Sequence, residues 1–147
     1  MKIEQVRENK KQFLDLLLIG DEQESMIDRY LDRGDLFALY DEGLKSVGVV
    51  TCEGDGVCEL KNIATYEECR GQGYGRRLIE HILDHYRGRC RVMLVGTGDC
   101  PRILRFYERC GFTISHRVEN FFIDHYDHPV FDCGERLVDM VYLQKEL

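Results

Sequence analysis

The sequence has no apolar run approaching the roughly 20 residues that a membrane-spanning helix requires, so no membrane partner is expected. It has no basic excess either: 27 Asp and Glu outnumber 20 Lys and Arg, for a formal net charge of −7. A nucleic-acid binder needs a basic face, so no nucleic-acid partner is expected, whereas a cationic substrate suits the charge. Cysteine is present (Cys52, Cys58, Cys69, Cys90, Cys100, Cys110 and Cys133), but the count is odd and no CxxC pair occurs. Such spacing argues against a disulfide framework and against a metal site. Free thiols are expected, most of them behaving as small apolar residues inside strands and helices. A reducing compartment follows, and the cytoplasm is the expected location. Internal repeats, low-complexity tracts and linkers are also missing. One domain over 1–147 is expected, and 44% apolar with 32% charged residues suits a soluble globular protein.

The N-terminus imitates a secretory signal: Lys2, Arg7, Lys10 and Lys11 precede the apolar FLDLLLIG. Asp15 interrupts that run and no small-x-small cleavage site follows, so an untargeted chain is expected. After a short first strand over 1–6, apolar stripes at helical spacing predict helices over 7–18 and 22–33, stopped by Gly20 and Gly34. The period then changes. Residues 36–40, 44–52 and 57–65 read as three strands joined by tight turns, an antiparallel meander. Next comes an amphipathic helix with Leu78, Ile79, Ile82, Leu83 and Tyr86 on one face. The apolar strand 91–95 should pair parallel with the third meander strand, because a helix connects them. Pro101 opens a further helix ending near Cys110, and 112–118 and 136–143 read as the last strands. The expected fold class is α/β: a mixed, mostly antiparallel sheet with a central parallel pair and flanking helices.

The most informative stretch lies between the third strand and the amphipathic helix: Arg70-Gly71-Gln72-Gly73-Tyr74-Gly75. Alternate glycines let backbone N–H groups converge on one point without a Cβ in the way. The helix adds its own unpaired N–H groups and the positive end of its dipole. The chemistry suited to such a turn is a phosphate or pyrophosphate.

With these residues in place, the chain resembles the GNAT acetyltransferases, which move an acetyl group from acetyl-CoA to an amine. Residues 70–75 match that family's [Q/R]-x-x-G-x-[G/A] signature. Phe106-Tyr107-Glu108-Arg109-Cys110-Gly111-Phe112 matches its Y-E-x-x-G-F signature downstream. The resemblance implies a central strand pair that splays, and acetyl-CoA as cofactor. Its pyrophosphate would lie on Arg70, Gly71, Gln72, Gly73, Tyr74 and Gly75, with Arg76 approaching the phosphates, as Arg77, Arg102 and Arg105 also could. Ile63, Ala64 and Thr65 would pair with the pantetheine arm. The implied activity is direct acetyl transfer to a primary amine, leaning towards a small molecule by the chain's size. The alternative on the same fold is a non-catalytic acyl-CoA-binding sensor. Where the family often has an asparagine seven residues before the tyrosine, this chain has Cys100, with Asp99 and Thr97 as neighbouring substitutes.

Amine acetylation requires that the ammonium lose a proton, the carbonyl oxygen be stabilised and the leaving thiolate be protonated. The resemblance implies Tyr107 as the acid, and a phenol with a pKa of about 10 carries a proton at neutral pH; the other reading is a packed core tyrosine. Glu59, in the third meander strand where some members of that family place a catalytic glutamate, is the base that the resemblance implies, with a water chain as the alternative. Asn62 is a substrate-orienting candidate. In the long segment 120–134, Tyr126 and Asp127 are expected to meet a cationic substrate, and His125 with His128 is not expected to hold a metal. The last strands and this segment suggest a homodimer.

Overall fold

The computed structural model describes all of residues 1–147. Period-two alternation divides the interior into two layers. In strand β2 (Asp35–Tyr40), Leu36 and Ala38 face one side, and Phe37 and Leu39 face the other. The first side packs against α1 (Leu14–Gly20) and α2 (Glu24–Ile27) through Leu16, Leu17 and Ile27. The second packs against α3 (Tyr74–Tyr86) through its apolar stripe, and against Tyr107 of α4 (Pro101–Arg109). Both layers are buried, and each gains roughly 25 cal/mol per Å² of apolar surface removed from water.

The meander is present: β2 pairs antiparallel with β3 (Leu44–Gly54), and β3 with β4 (Val57–Thr65). Strand β1 (Lys2–Val6) adds to its outer edge. Strand β5 (Val92–Gly98) lies parallel to β4, as the connecting helix requires. The seven-stranded order is β1-β2-β3-β4-β5-β9-β6, where β6 is Thr113–Val118 and β9 is Met140–Glu146. No helix is long and apolar enough to cross a membrane.

Four features differ from the sequence expectations. The first two helices are short, because Gly20-Asp21-Glu22-Gln23 breaks the run and turns replace helix after Ile27. The final strand starts at Met140 rather than 136, since Glu135–Arg136 (β8) folds back on Phe131–Asp132 (β7) as a hairpin. Segment 120–134 holds a short helix, α5 (Phe121–His125). The free-thiol expectation is corrected for two residues: Cys100, buried at the start of α4, is joined to Cys133 in the β7–β8 turn. Their Cα atoms are 6.0 Å apart across 33 residues of sequence. The separation explains why spacing motifs did not show it, and the reducing-compartment argument loses its footing at this pair. Thiol titration in denaturant should count the five remaining cysteines before reduction and all seven after it. Breaking the link should also lower unfolding stability by about 3–4 kcal/mol through the freed loop.

Candidate active site

Strands β4 and β5 pair only as far as Leu60 and Val95. At that point the β3–β4 register slips, with Val49 opposite Asn62 and Val50 opposite Leu60, so that Lys61 bulges out. Beyond the bulge β4 stays with β3, whereas β5 stays with β9 up to Gly98. The two strands therefore part, and a cavity of about 700 Å³ opens between residues 61–65 of β4 and 96–98 of β5. That volume is in the range of a ligand pocket. One backbone edge of Ile63, Ala64 and Thr65 faces it, without strand partners on that side.

At one end of the cavity lies the glycine turn. Gly71 and Gly73 have φ of +79° and +84°, and Gly73 caps α3 without any side-chain hydrogen bond to the helix. Nothing lies within 4 Å of where a Cβ would stand on either glycine, so the turn is uncovered at both positions. Arg70, Gly71, Gly73, Tyr74, Gly75 and Arg76 line the cavity; Gln72 does not. The Tyr74 hydroxyl turns away and donates to Asp41 at 2.8 Å. Arg102, a candidate from the sequence, and Arg109, which the sequence reading did not name, also line the cavity, and Arg102 pairs with Asp132 at 3.6 Å. In a chain of net charge −7, Arg70 and Arg76 flanking a helix N-terminus make a local anion site.

Midway, the Tyr107 side chain enters from α4 and is buried to 6% exposure. Its ring packs edge-on against Phe106 and Phe112. Burial pushes the phenol well above its ordinary pKa of 10.0, so it is fully protonated at neutral pH.

The structure does not bring Glu59 to this place. Its carboxylate pairs with Lys61 at 3.1 Å, accepts from the Tyr142 hydroxyl at 3.2 Å and lies outside the cavity lining. It lies on β4 before the bulge, where β4 is still paired on both sides. Cys100, tied to Cys133, is not a lining residue either; Thr97 is, and Asp99 pairs with Arg117 at 2.9 Å.

The other end is acidic and aromatic. Asp21 and Glu22 follow α1, and Asn62 and Tyr126 line the same space. Segment 125–128 is fastened to the α1–α2 region at every residue. Arg29 donates to His125 at 3.4 Å, and Tyr126 donates to Asp21 at 2.7 Å. The Asp127 N–H donates to Gln23 at 3.0 Å, and His128 bridges Glu22 and Asp127 at 2.7 Å each. Asp127 thus acts through its backbone and as a partner of His128, outside the lining. His125 and His128 serve different neighbours and do not converge as ligands. The one grouping of ligand atoms is Cys100, Asp132 and Cys133, two of which are bonded to each other.

The pKa of His128 is raised above its ordinary 6.5 by hydrogen bonding to Asp127 and then to Glu22. The bridge is accordingly complete below pH 6.5 and lost as pH rises through the raised value. Thermal stability is expected to fall across that window, and a His128→Gln variant should lose the dependence; melting temperatures measured over pH check this.

Residues 32–114 match the profile of the acetyltransferase (GNAT) domain. The chain belongs to the GNAT acetyltransferases. An N-acetyltransferase of Bacillus subtilis strain 168, YvbK, is 30% identical over 150 residues, covering 100% of this chain and 97% of that protein. A GNAT family acetyltransferase from Elizabethkingia anophelis, solved with acetyl-CoA bound, is 30% identical, with a TM-score of 0.93 over 99% of this chain and 97% of that one. A Bacillus subtilis acetyltransferase solved with CoA is 31% identical, with a TM-score of 0.89 over 99% and 98%. Acetyl-CoA is the GNAT co-substrate, and the uncovered glycine turn flanked by Arg70 and Arg76 suits a diphosphate.

Proposed function

We propose that the protein transfers an acetyl group from acetyl-CoA directly to the primary amine of a small molecule. What supports this reading is the polarity of the cavity: a cationic, glycine-lined end for phosphates, a buried phenol in the middle and an anionic, aromatic-walled end for an ammonium. When bound, the thioester supplies an activated acetyl carbon and a thiolate leaving group. Arg70, Gly71, Gly73, Tyr74, Gly75 and Arg76 hold the pyrophosphate, and the free edge of Ile63, Ala64 and Thr65 aligns the pantetheine arm. A backbone N–H near Ala64 receives the carbonyl oxygen, and Tyr107 holds the proton destined for the sulfur. Glu59 has no part in this scheme. Asn62 and Tyr126 shape the acceptor end. Dependence on acetyl-CoA supports a cytoplasmic location, and strand β6, exposed along both faces at the sheet edge, supports a homodimer.

Isothermal titration with CoA, together with thiol release from acetyl-CoA over polyamines, amino sugars, amino acids and peptides, tests the proposal. Binding plus turnover of a small amine is the expected result. Tight binding with no turnover on any amine would instead identify a sensor.

A further inference from the structure

The Asp21 carboxylate has both oxygens hydrogen-bonded and neither charge-paired. The Tyr126 hydroxyl donates to Oδ1 at 2.7 Å and the Tyr30 hydroxyl to Oδ2 at 3.0 Å. A carboxylate offers about four lone-pair directions; the backbone N–H of Gln23 takes a third, so one remains free. The charged neighbour acting on it is Glu22, of like sign. Asn62 presents a second acceptor without a donor. Its Nδ2 is committed to the Leu17 carbonyl at 2.9 Å and the Tyr30 hydroxyl at 3.1 Å. Its Oδ1 is buried without a partner, against Gly20, where an added Cβ would lie 2.2 Å away. Gly20, Asp21 and Asn62 all line the cavity, and Asn62 sits one residue past the bulge where β4 and β5 part. Lys61, in the same lining, is paired with Glu59 at 3.1 Å, so the unused acceptors on Asp21 and Asn62 suit a ligand that brings donors and positive charge. The walls beside them are apolar: Phe122 stacks on Tyr126 with centroids 5.5 Å apart, and Phe131 is 63% exposed at the rim.

We propose that Asp21 receives the acceptor's ammonium and takes its proton, and that the acceptor is a primary amine on an apolar, aromatic-sized body without a carboxylate beside the nitrogen. This rests on the acetyltransferase reading of the same cavity. One ammonium proton passes to the Asp21 carboxylate. The freed lone pair forms the N–C bond to the acetyl carbon, and the C–S bond breaks with its electrons going to sulfur. The sulfur takes the Tyr107 proton, the surplus proton on nitrogen restores Tyr107, and Asp21 returns its own proton to solvent. Burial raises the Asp21 pKa above its ordinary 3.8 despite both phenols, which moves the carboxylate towards the range where a base works. A carboxylate on the acceptor would be repelled by Asp21 and Glu22 together.

The test is thiol release from acetyl-CoA with phenethylamine and with phenylalanine, in wild type, Asp21→Asn and Tyr126→Phe. Wild type should favour phenethylamine about tenfold or more in kcat/KM. Asp21→Asn should lower that value about 100-fold or more, with acetyl-CoA KM unchanged and thermal stability no lower, because a desolvated charge has been removed. The groups facing Asp21 are Tyr30, Tyr126 and Glu22, the last bridged to His128. Tyr126→Phe removes a donor that lowers the Asp21 pKa, so the acid limb of the rate profile should move to higher pH. A preference for phenylalanine, an Asp21→Asn rate within threefold of wild type, or an acid limb unmoved by Tyr126→Phe would overturn the proposal. If no amine releases thiol, the acetyltransferase reading fails, and calorimetry of phenethylamine into CoA-saturated protein decides Asp21 separately. Binding about tenfold tighter to wild type than to Asp21→Asn sustains it; equal or absent binding overturns it.

Discussion

Replacing Tyr107 with Phe should lower kcat by about 100-fold, the lower range for losing a general acid, while leaving acetyl-CoA KM nearly unchanged. The two effects separate because the ring and the hydroxyl do different work. The ring is packed edge-on against Phe106 and Phe112 in the core, and Phe preserves that packing. The hydroxyl reaches the cavity, and no side-chain hydrogen bond contributes to its pKa shift, so its loss leaves no protein group unpaired. Thermal stability should therefore hold within about 1 kcal/mol. Steady-state kinetics with both substrates varied separates the outcomes. A loss of acetyl-CoA affinity equal to the loss of rate would make Tyr107 a structural residue.

A valine at Gly73 should weaken CoA binding about 10- to 100-fold. At φ +84° a β-branched residue is strained, and such strain costs of order 1–3 kcal/mol, which is the stated range of affinity. The space around the missing Cβ is open, so the cost comes from the backbone leaving the left-handed conformation and carrying its N–H groups off target. The fold should survive, since the turn is exposed and α3 is anchored by Leu78, Ile79 and Ile82, all fully buried. Calorimetric titration of CoA reads the effect directly. A Gly73→Ala variant, with less crowding at the same φ, should fall between wild type and valine.

The stretch from β4 through the glycine turn to α3 was legible because its signals are local: alternation in the strand, glycines where φ is positive, and a helical stripe. The parallel β4–β5 pair followed from the length of the crossover. The insertion of β9 between β5 and β6 was not legible, because a strand's partner is chosen by contacts distant in sequence. The late start of β9 has the same cause: Arg136 is taken by the β7–β8 hairpin, a pairing that a strand-like run does not announce. At the site, Gly71, Gly73 and Tyr107 could be named from their motifs. Asp21 could not, because an aspartate after a helix-ending glycine reads as a solvated turn. Only the hydroxyls of Tyr126, 105 positions away, and of Tyr30 make it a partly buried, hydrogen-bonded carboxylate. Glu59 shows the converse. Its position in the strand suggested a base, but the bulge at Lys61 places the opening just beyond it.

The central claim is that this cavity joins the two halves of a transfer, CoA at the arginine end and an amine at the aspartate end. The most direct measurement incubates the protein with acetyl-CoA and phenethylamine and counts free thiol and N-acetylated amine in the same sample over time. One acetylated amine per thiol released, with release absent when either substrate is omitted, is the expected result. Tight CoA binding with neither thiol nor acetylated product from this or any other amine would contradict the account.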